Sequence, residues 1–348
     1  MGQEARGILR SMEHTTLYRK YRPQRFMDVR SQDHVVQVLK ASIEKGSIPH
    51  AILFVGTRGT GKTTLARIFA RELGVADEDL YELDAASNNS VENIRDLNEA
   101  VVSLPFLSPY KVYILDEVHM LSKSAWNAFL KTLEEPPRHV VFMMATTELE
   151  KVPETVLSRC QVFSLHEPDR AAIAALVHDV FTREEVALPS GVAEMIAIAA
   201  NGSYRDALSI AQKVLLVAED GVVTTSMAAQ TIGAPTSTVV LAVLEALAEG
   251  NAKNALEALA HVQTQATSMD MFATLLIERV RAVMLARATK SNAYIEAYGE
   301  EANTLHAMLT NARVNSKMLL RLLEARQSIG MASISSIALE CAIVELCV

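Results

Sequence analysis

The stretch Gly56-Thr57-Arg58-Gly59-Thr60-Gly61-Lys62-Thr63 stands directly after the apolar run AILFV and opens the amphipathic run KTTLARIFA. Glycines at 56, 59 and 61 let the backbone curl so that its N–H groups converge on one point. A helix starting near Lys62 adds the positive end of its dipole there. The strand before and the helix after separate a working phosphate loop from a chance glycine-rich turn. In such a loop Lys62 bridges the β- and γ-phosphates of ATP and the Thr63 hydroxyl holds Mg²⁺. Thr57, Arg58, Thr60 and Thr64 complete the cradle.

The loop predicts an α/β layer, and the flanking sequence agrees. AILFVG, LYELDA, KVYILDE, VVFMMATT and QVFSL read as strands, with GKTTLARIFARELG, SVENIRDLNEAVVSL and KSAWNAFLKTLEE at helical spacing between them. That alternation predicts a parallel sheet. The apolar strand KVYILDE ends in Asp116-Glu117, at the carboxyl end where α/β sheets place ligands. Behind a phosphate loop, Asp116 is a second Mg²⁺ contact and Glu117 is placed to polarise a water. A further buried strand ends in Thr146-Thr147, where a hydroxyl is placed to orient that water. Arg159, in ETVLSRCQVF, reads by itself as a surface arginine at a strand edge.

From residue 168 the strand signals stop. DRAAIAALVHDVFTREE, SGVAEMIAIAANG, SYRDALSIAQKVLLVAEDG and a short segment at TTSMAAQTIG read as helices. GAPTS then reads as a linker, and everything beyond it is helical at i, i+3, i+4 and i+7. The organisation expected is a tail over 1–14, an α/β domain over 15–167, a small helical domain over 168–234 and a larger helical domain over 235–348.

Half of the 348 residues are hydrophobic, enough for a sizeable core, yet no run of uncharged apolar residues is long enough to span a membrane. The first fifteen residues lack the apolar block of a signal peptide, and a cytoplasmic protein is expected. The formal net charge is −8, which argues against a surface coated in basic residues to grip nucleic acid. Residues 1–50 carry nine Lys or Arg against five acids, so this end is locally +4. Of the three cysteines, none forms a C-x-x-C pair, and Cys341 and Cys347 read as small buried thiols in a helix.

LYRKYRPQRFMDV, HAILFVGTRGTGKTTLARIFA, DAASNNSVENIRDL, KVYILDEVHMLSKSAWNAFLKTLEEPP, ATTELEKVPETVLSRCQVF and GSYRDALSIAQ, in that order, resemble the bacterial DNA polymerase III subunit gamma/tau. Proteins of that family are ATP-hydrolysing AAA+ subunits of the sliding-clamp loader. The resemblance covers roughly residues 15–235 by motif, and the helical remainder only in kind and order.

The resemblance implies a role for Arg159: an arginine finger acting in trans on the nucleotide of a neighbouring subunit. It makes Thr147 the first sensor and Arg205 the second-sensor arginine, reaching the γ-phosphate of its own chain from the small helical (lid) domain. Tyr18, Arg22 and Val29 fall where the family's N-terminal segment cradles base and ribose. Residues 235–348 become the collar that joins subunits into a ring. The partners implied are copies of itself, delta- and delta-prime-type subunits, the sliding clamp and primer–template DNA, with no membrane.

Two departures stand out. Most relatives insert a four-cysteine zinc module after the phosphate-loop helix, whereas ARELGVADEDLYELDAAS passes straight through, so no zinc is expected. The loop that in some relatives carries basic residues facing DNA reads Asn88-Asn89-Ser90, with Lys123 and Lys131 as candidates to compensate. The chain also ends near where the collar ends, without the long tail of some gamma/tau forms. Two alternatives stay open at this stage: a non-hydrolysing structural subunit of the same loader, or another AAA+ DNA-remodelling ATPase.

Overall fold

The computed structural model describes residues 16–189, 191–264, 267–296 and 298–348. The expected tail over 1–14 lies outside the described residues. The chain divides into two compact units, one running to Glu185 and including Ile196–Gln212, the other comprising Val186–Met195 and Lys213–Val348.

The first unit is built on five parallel strands: β1 (Ala51–Val55), β2 (Leu80–Asp84), β3 (Lys111–Asp116), β4 (Val140–Thr146) and β5 (Gln161–Ser164), in spatial order β2-β3-β4-β1-β5. The register runs Leu53 beside Met144, Tyr113 beside Phe142 and Phe54 beside Phe163. Position in the sheet explains composition. β1, β3 and β4 are covered on both faces and read as unbroken apolar runs, whereas the edge strand β5 buries only Phe163.

Alternate side chains divide between two cores. Ile52, Phe54, Ile114, Met143 and Phe163 meet Leu65 and Phe69 of the helix Lys62–Glu72 on one face. Leu53, Leu115, Phe142 and Met144 meet Trp126 and Phe129 of the helix Lys123–Glu134 on the other. The ring of Phe129 stands edge-on to Phe142 at 5.0 Å, a favoured aromatic geometry. Because every strand is parallel, residues 56, 84, 116, 146 and 164 all come to one rim.

The second unit is helical among its described residues. Ser237–Glu249, Ala252–Thr264, Met269–Thr289, Ser316–Ile329 and Ile337–Cys347 enclose one core of Leu244, Leu247, Phe272, Leu276, Leu322 and Ile343. Arg279, 4% exposed, is held by Glu301 through two bonds of 2.6 Å and stacks over the Tyr298 ring.

The cysteine expectation is corrected here. Cys341 is exposed and Cys347 only partly covered. The last helix buries Leu339, Ala342 and Ile343, and position 341 falls outside that stripe. Among the described residues no single helix is long and apolar enough to cross a membrane.

Candidate nucleotide site

The turn from β1 into the helix Lys62–Glu72 has the backbone its glycines predict. Gly59 has φ +79° and Gly61 φ +104°, values that L side chains rarely adopt. Gly61 is the N-cap of the helix, and no side chain caps the first turn. Its opening N–H groups therefore keep no side-chain partner and face the loop. By contrast Ser122 and Ser90 cap the helices Lys123–Glu134 and Val91–Ala100.

Within the loop, Thr60 Oγ1 donates to Thr57 O at 2.9 Å. Lys62 Nζ donates to Gly56 O at 2.8 Å and Thr57 O at 3.0 Å, so the ammonium lies back across the curl. Burial pushes the Lys62 pKa down, while Glu117 and then Asp116 pull it up. Gly56 N–H donates to Thr146 O at 3.2 Å, fastening the loop to the end of β4.

β4 lies between β1 and β3, yet the two sides meet across it: Thr63 Oγ1 donates to Asp116 Oδ2 at 2.7 Å. Asp116 Oδ1 accepts the Glu117 N–H at 3.0 Å, and Glu117 itself sits at φ +50°. Thr147 Oγ1 donates to Glu117 Oε2 at 3.3 Å. The expected set Lys62, Thr63, Asp116, Glu117 and Thr147 is thus brought together at one rim. A hydroxyl and a carboxylate at hydrogen-bonding distance beside an oxygen-lined loop are the hard donors Mg²⁺ prefers, so the residues fit that ion.

Arg205 is brought to the same place. The Tyr204 N–H donates to Gly59 O at 3.2 Å, Ser203 lies against Gly59, and the Arg205 guanidinium stands 5.1 Å over the Tyr18 ring. Burial lowers the Arg22 pKa, Arg67, Arg205 and Arg19 act in the same direction, and Glu82 opposes them. Arg22 thus feels three other guanidiniums, of which Arg67 is paired with Glu82. Val29 closes the turn Phe26–Asp28 through its N–H to Phe26 O and packs by its side chain on the sheet core.

Arg159 lies apart from this set. Its guanidinium bonds Glu134 Oε1 at 2.6 Å, Ser158 Oγ at 3.2 Å and Thr155 O, none of which belongs to the phosphate loop. In the loop Asn88-Asn89-Ser90, the Asn88 amide donates to Asp84 O and Ser90 Oγ caps Asn93 N–H. Asn89 O accepts the Ser122 N–H, while Lys123 and Lys131 are exposed.

Two residues near the site, His119 and Glu148, carry no expectation from the sequence. His119 stands with Nδ1 3.1 Å from Thr146 Oγ1 and Nε2 3.2 Å from Glu148 Oε1, and the Thr146 side chain is fully buried. The signal available was the spacing D-E-x-H, which puts His119 one short turn past Glu117.

A family model described as DNA polymerase III, delta subunit, matches residues 75–169. Over 264 residues the chain is 36% identical to the DNA polymerase III subunit gamma of Buchnera aphidicola subsp. Baizongia pistaciae, covering 70% of this chain and 71% of that one. The chain belongs to the DNA polymerase III gamma/tau family. Family members named tau are similar too: 38% identity over 307 residues in Escherichia coli and 43% over 230 in Bacillus subtilis, covering 81% and 60% of this chain. The chain matches 47% and 41% of those two proteins, less than half of either. Among solved structures, the Thermotoga maritima RuvB Holliday junction branch migration motor aligns with a TM-score of 0.53 at 19% identity, over 82% of this chain and 88% of that one. At that identity the likeness shows the fold and nothing more.

Proposed function

We propose that this gamma/tau family member is an ATP-hydrolysing motor subunit of a bacterial sliding-clamp loader. The observation that carries the reading is the Thr63–Asp116 bond, 2.7 Å long, beside a loop whose lysine is already folded over it. Lys62 and the N–H groups of residues 57–63 bind the phosphates, and Thr63 with Asp116 would hold Mg²⁺. The ion, when bound, neutralises charge on the β- and γ-phosphates. Glu117 accepts the proton of a water held by Thr147. As the water oxygen bonds to the γ-phosphorus, the bond to the β–γ bridging oxygen breaks and ADP leaves. Catalysis is positioning plus electrostatics, with no covalent intermediate.

Arg159 completes the site of a neighbouring subunit, and its distance in partners from its own Lys62 supports that division. Arg205 binds the γ-phosphate of its own chain. Tyr18, Arg22 and Val29 hold base and ribose. We place a nucleotide-binding domain at 15–167, a lid at 168–234 and a ring-forming collar at 235–348. Asn88, Asn89 and Ser90, with Lys123 and Lys131, face the primer–template backbone. The clamp and delta- and delta-prime-type subunits complete the assembly, in the cytoplasm.

The test is the ATPase rate of the assembled complex with clamp, with primed DNA, with both, and with branched DNA. A loader is stimulated most by clamp and primed DNA together. Absence of any clamp effect, or stimulation by branched DNA alone, overturns the reading.

A further inference from the structure

Behind Glu117 lies a histidine, its side chain largely covered, that the hydrolysis scheme does not use. His119 belongs to the 3-10 turn Val118–Met120, and its side chain is only 8% exposed. Its Nε2 stands 3.2 Å from Glu148 Oε1, while Glu148 Oε2 pairs with Lys151 Nζ at 2.7 Å. Its Nδ1 stands 3.1 Å from Thr146 Oγ1 and 3.4 Å from Glu117 Oε2. The ring therefore spans from the end of β3 to the segment just beyond β4.

Glu117 is otherwise loosely held. Its backbone is fixed at φ +50° and its N–H is taken by Asp116. Its carboxylate, at the end of a long flexible side chain, accepts from Thr147 at 3.3 Å. A general base works only when held within roughly half an ångström of its productive place.

The chemistry of the ring says how it acts. Each ring nitrogen faces a carboxylate oxygen, which can only accept: Nε2 faces Glu148 Oε1 and Nδ1 faces Glu117 Oε2. The Thr146 hydroxyl, which donates to Glu148 O at 3.3 Å, stands against Nδ1 at the end of β4. The ring bars the Glu117 carboxylate from swinging back towards β4. Thr147 remains its donor, and the other oxygen stays available for a water.

We propose that His119 is a positioning residue for Glu117: anchored by Glu148 and Lys151, its ring sets the orientation of the base. The inference rests on the reading of Glu117 as that base. Lys151 ends the turn Leu149–Lys151, which runs through Pro153 into the helix Glu154–Leu157 and on to Arg159. The base of one site and the arginine meant for the next are thus tied to one short segment.

The experiment compares Glu117→Gln, His119→Ala, His119→Gln, Glu148→Ala and the His119→Ala/Glu148→Ala pair in the full chain assembled with its partner subunits. Steady-state hydrolysis, binding of a fluorescent ATP analogue and the unfolding midpoint are measured for each. Glu117→Gln loses turnover and keeps binding. His119→Ala lowers kcat about ten- to a hundredfold, with KM and analogue affinity within about twofold of wild type. His119→Gln, which keeps an amide reaching towards Glu148, recovers part of the loss. Glu148→Ala lowers kcat less, and the double variant is no worse than His119→Ala alone.

Wild-type kcat in His119→Ala, additive losses in the double variant, or a kcat loss that merely follows loss of folded protein would each overturn the positioning role. If His119→Ala does not fold, Glu148→Ala and His119→Gln decide by the same kcat-against-binding comparison. Full turnover in Glu117→Gln overturns instead the assignment of the base.

Discussion

Arg159 is paired with Glu134 of its own chain, its guanidinium donating to Oε1 at 2.6 Å on the outer side of the helix Lys123–Glu134. An exposed pair of this kind contributes about 0–1 kcal/mol, so a better anion draws the arginine away at little cost. In assembled complexes Arg159→Ala is expected to cut hydrolysis by about 10³-fold or more, with analogue binding kept. Mixing Arg159→Ala chains with Lys62→Ala chains should restore part of the activity, because each supplies what the other lacks. No recovery on mixing, with assembly verified by native mass measurement, would count against a shared site.

Gly59 and Gly61 separate strain from collision. Gly61→Ala meets nothing within 4 Å but must hold φ +104°, a cost of about 1–3 kcal/mol. A Cβ at Gly59 would lie 2.0 Å from Ser203 Oγ, the atom that accepts the Asp206 N–H at the start of the helix Tyr204–Leu216. Gly59→Ala should therefore lower the unfolding midpoint more than Gly61→Ala does. Adding Ser203→Gly to Gly59→Ala should recover part of the loss; a fully additive double mutant would rule the collision out.

Asp79 organises the connection into β3. Buried, it accepts the N–H groups of Phe106, Leu107 and Ser108 at 2.6, 2.8 and 2.8 Å. Burial alone would raise its pKa, but those bonds and the Ser108 side chain win and hold it at about 2, below its ordinary 3.8. A depressed carboxylate stabilises the fold above its unfolded pKa, and that stability is lost as pH falls through the folded value. The stability advantage of wild type over Asp79→Asn should thus be full above about pH 4 and shrink towards pH 2. Urea unfolding at a series of pH values measures it, and an advantage independent of pH would refute the assignment.

Glu301 compensates the buried Arg279 through a two-point pair. Removing one partner of such a pair leaves an unmatched charge and costs about 3–5 kcal/mol. Glu301→Ala should lower the unfolding free energy by that amount, and replacing both residues with apolar ones should recover much of it. A Glu301→Ala protein as stable as wild type would show that the pair is solvated in solution.

Most of the α/β unit was legible in the sequence because its signals are local. Glycines at 56, 59 and 61, an apolar strand ending in Asp116-Glu117 and alternating strand and helix periods each report on a few neighbouring residues. What stayed hidden depends on contacts between distant segments. The Asp33–Glu44 helix was not singled out, nor was the pairing of Arg159 with Glu134. His119 was missed because its partners Thr146 and Glu148 come from the end of β4 and the segment after it. The cysteines were misjudged because thiols are usually buried, whereas the helix Ile337–Cys347 spends its inward stripe on Leu339, Ala342 and Ile343.

The parallel sheet also sorts the chain's loops into two kinds. The helix Lys62–Glu72 carries the chain away from the phosphate loop, so residues 73–79 turn at the amino ends of the strands, opposite the chemistry. Residues inserted there would stand at the far end of the sheet, and the phosphate loop and Asp116 would keep their places.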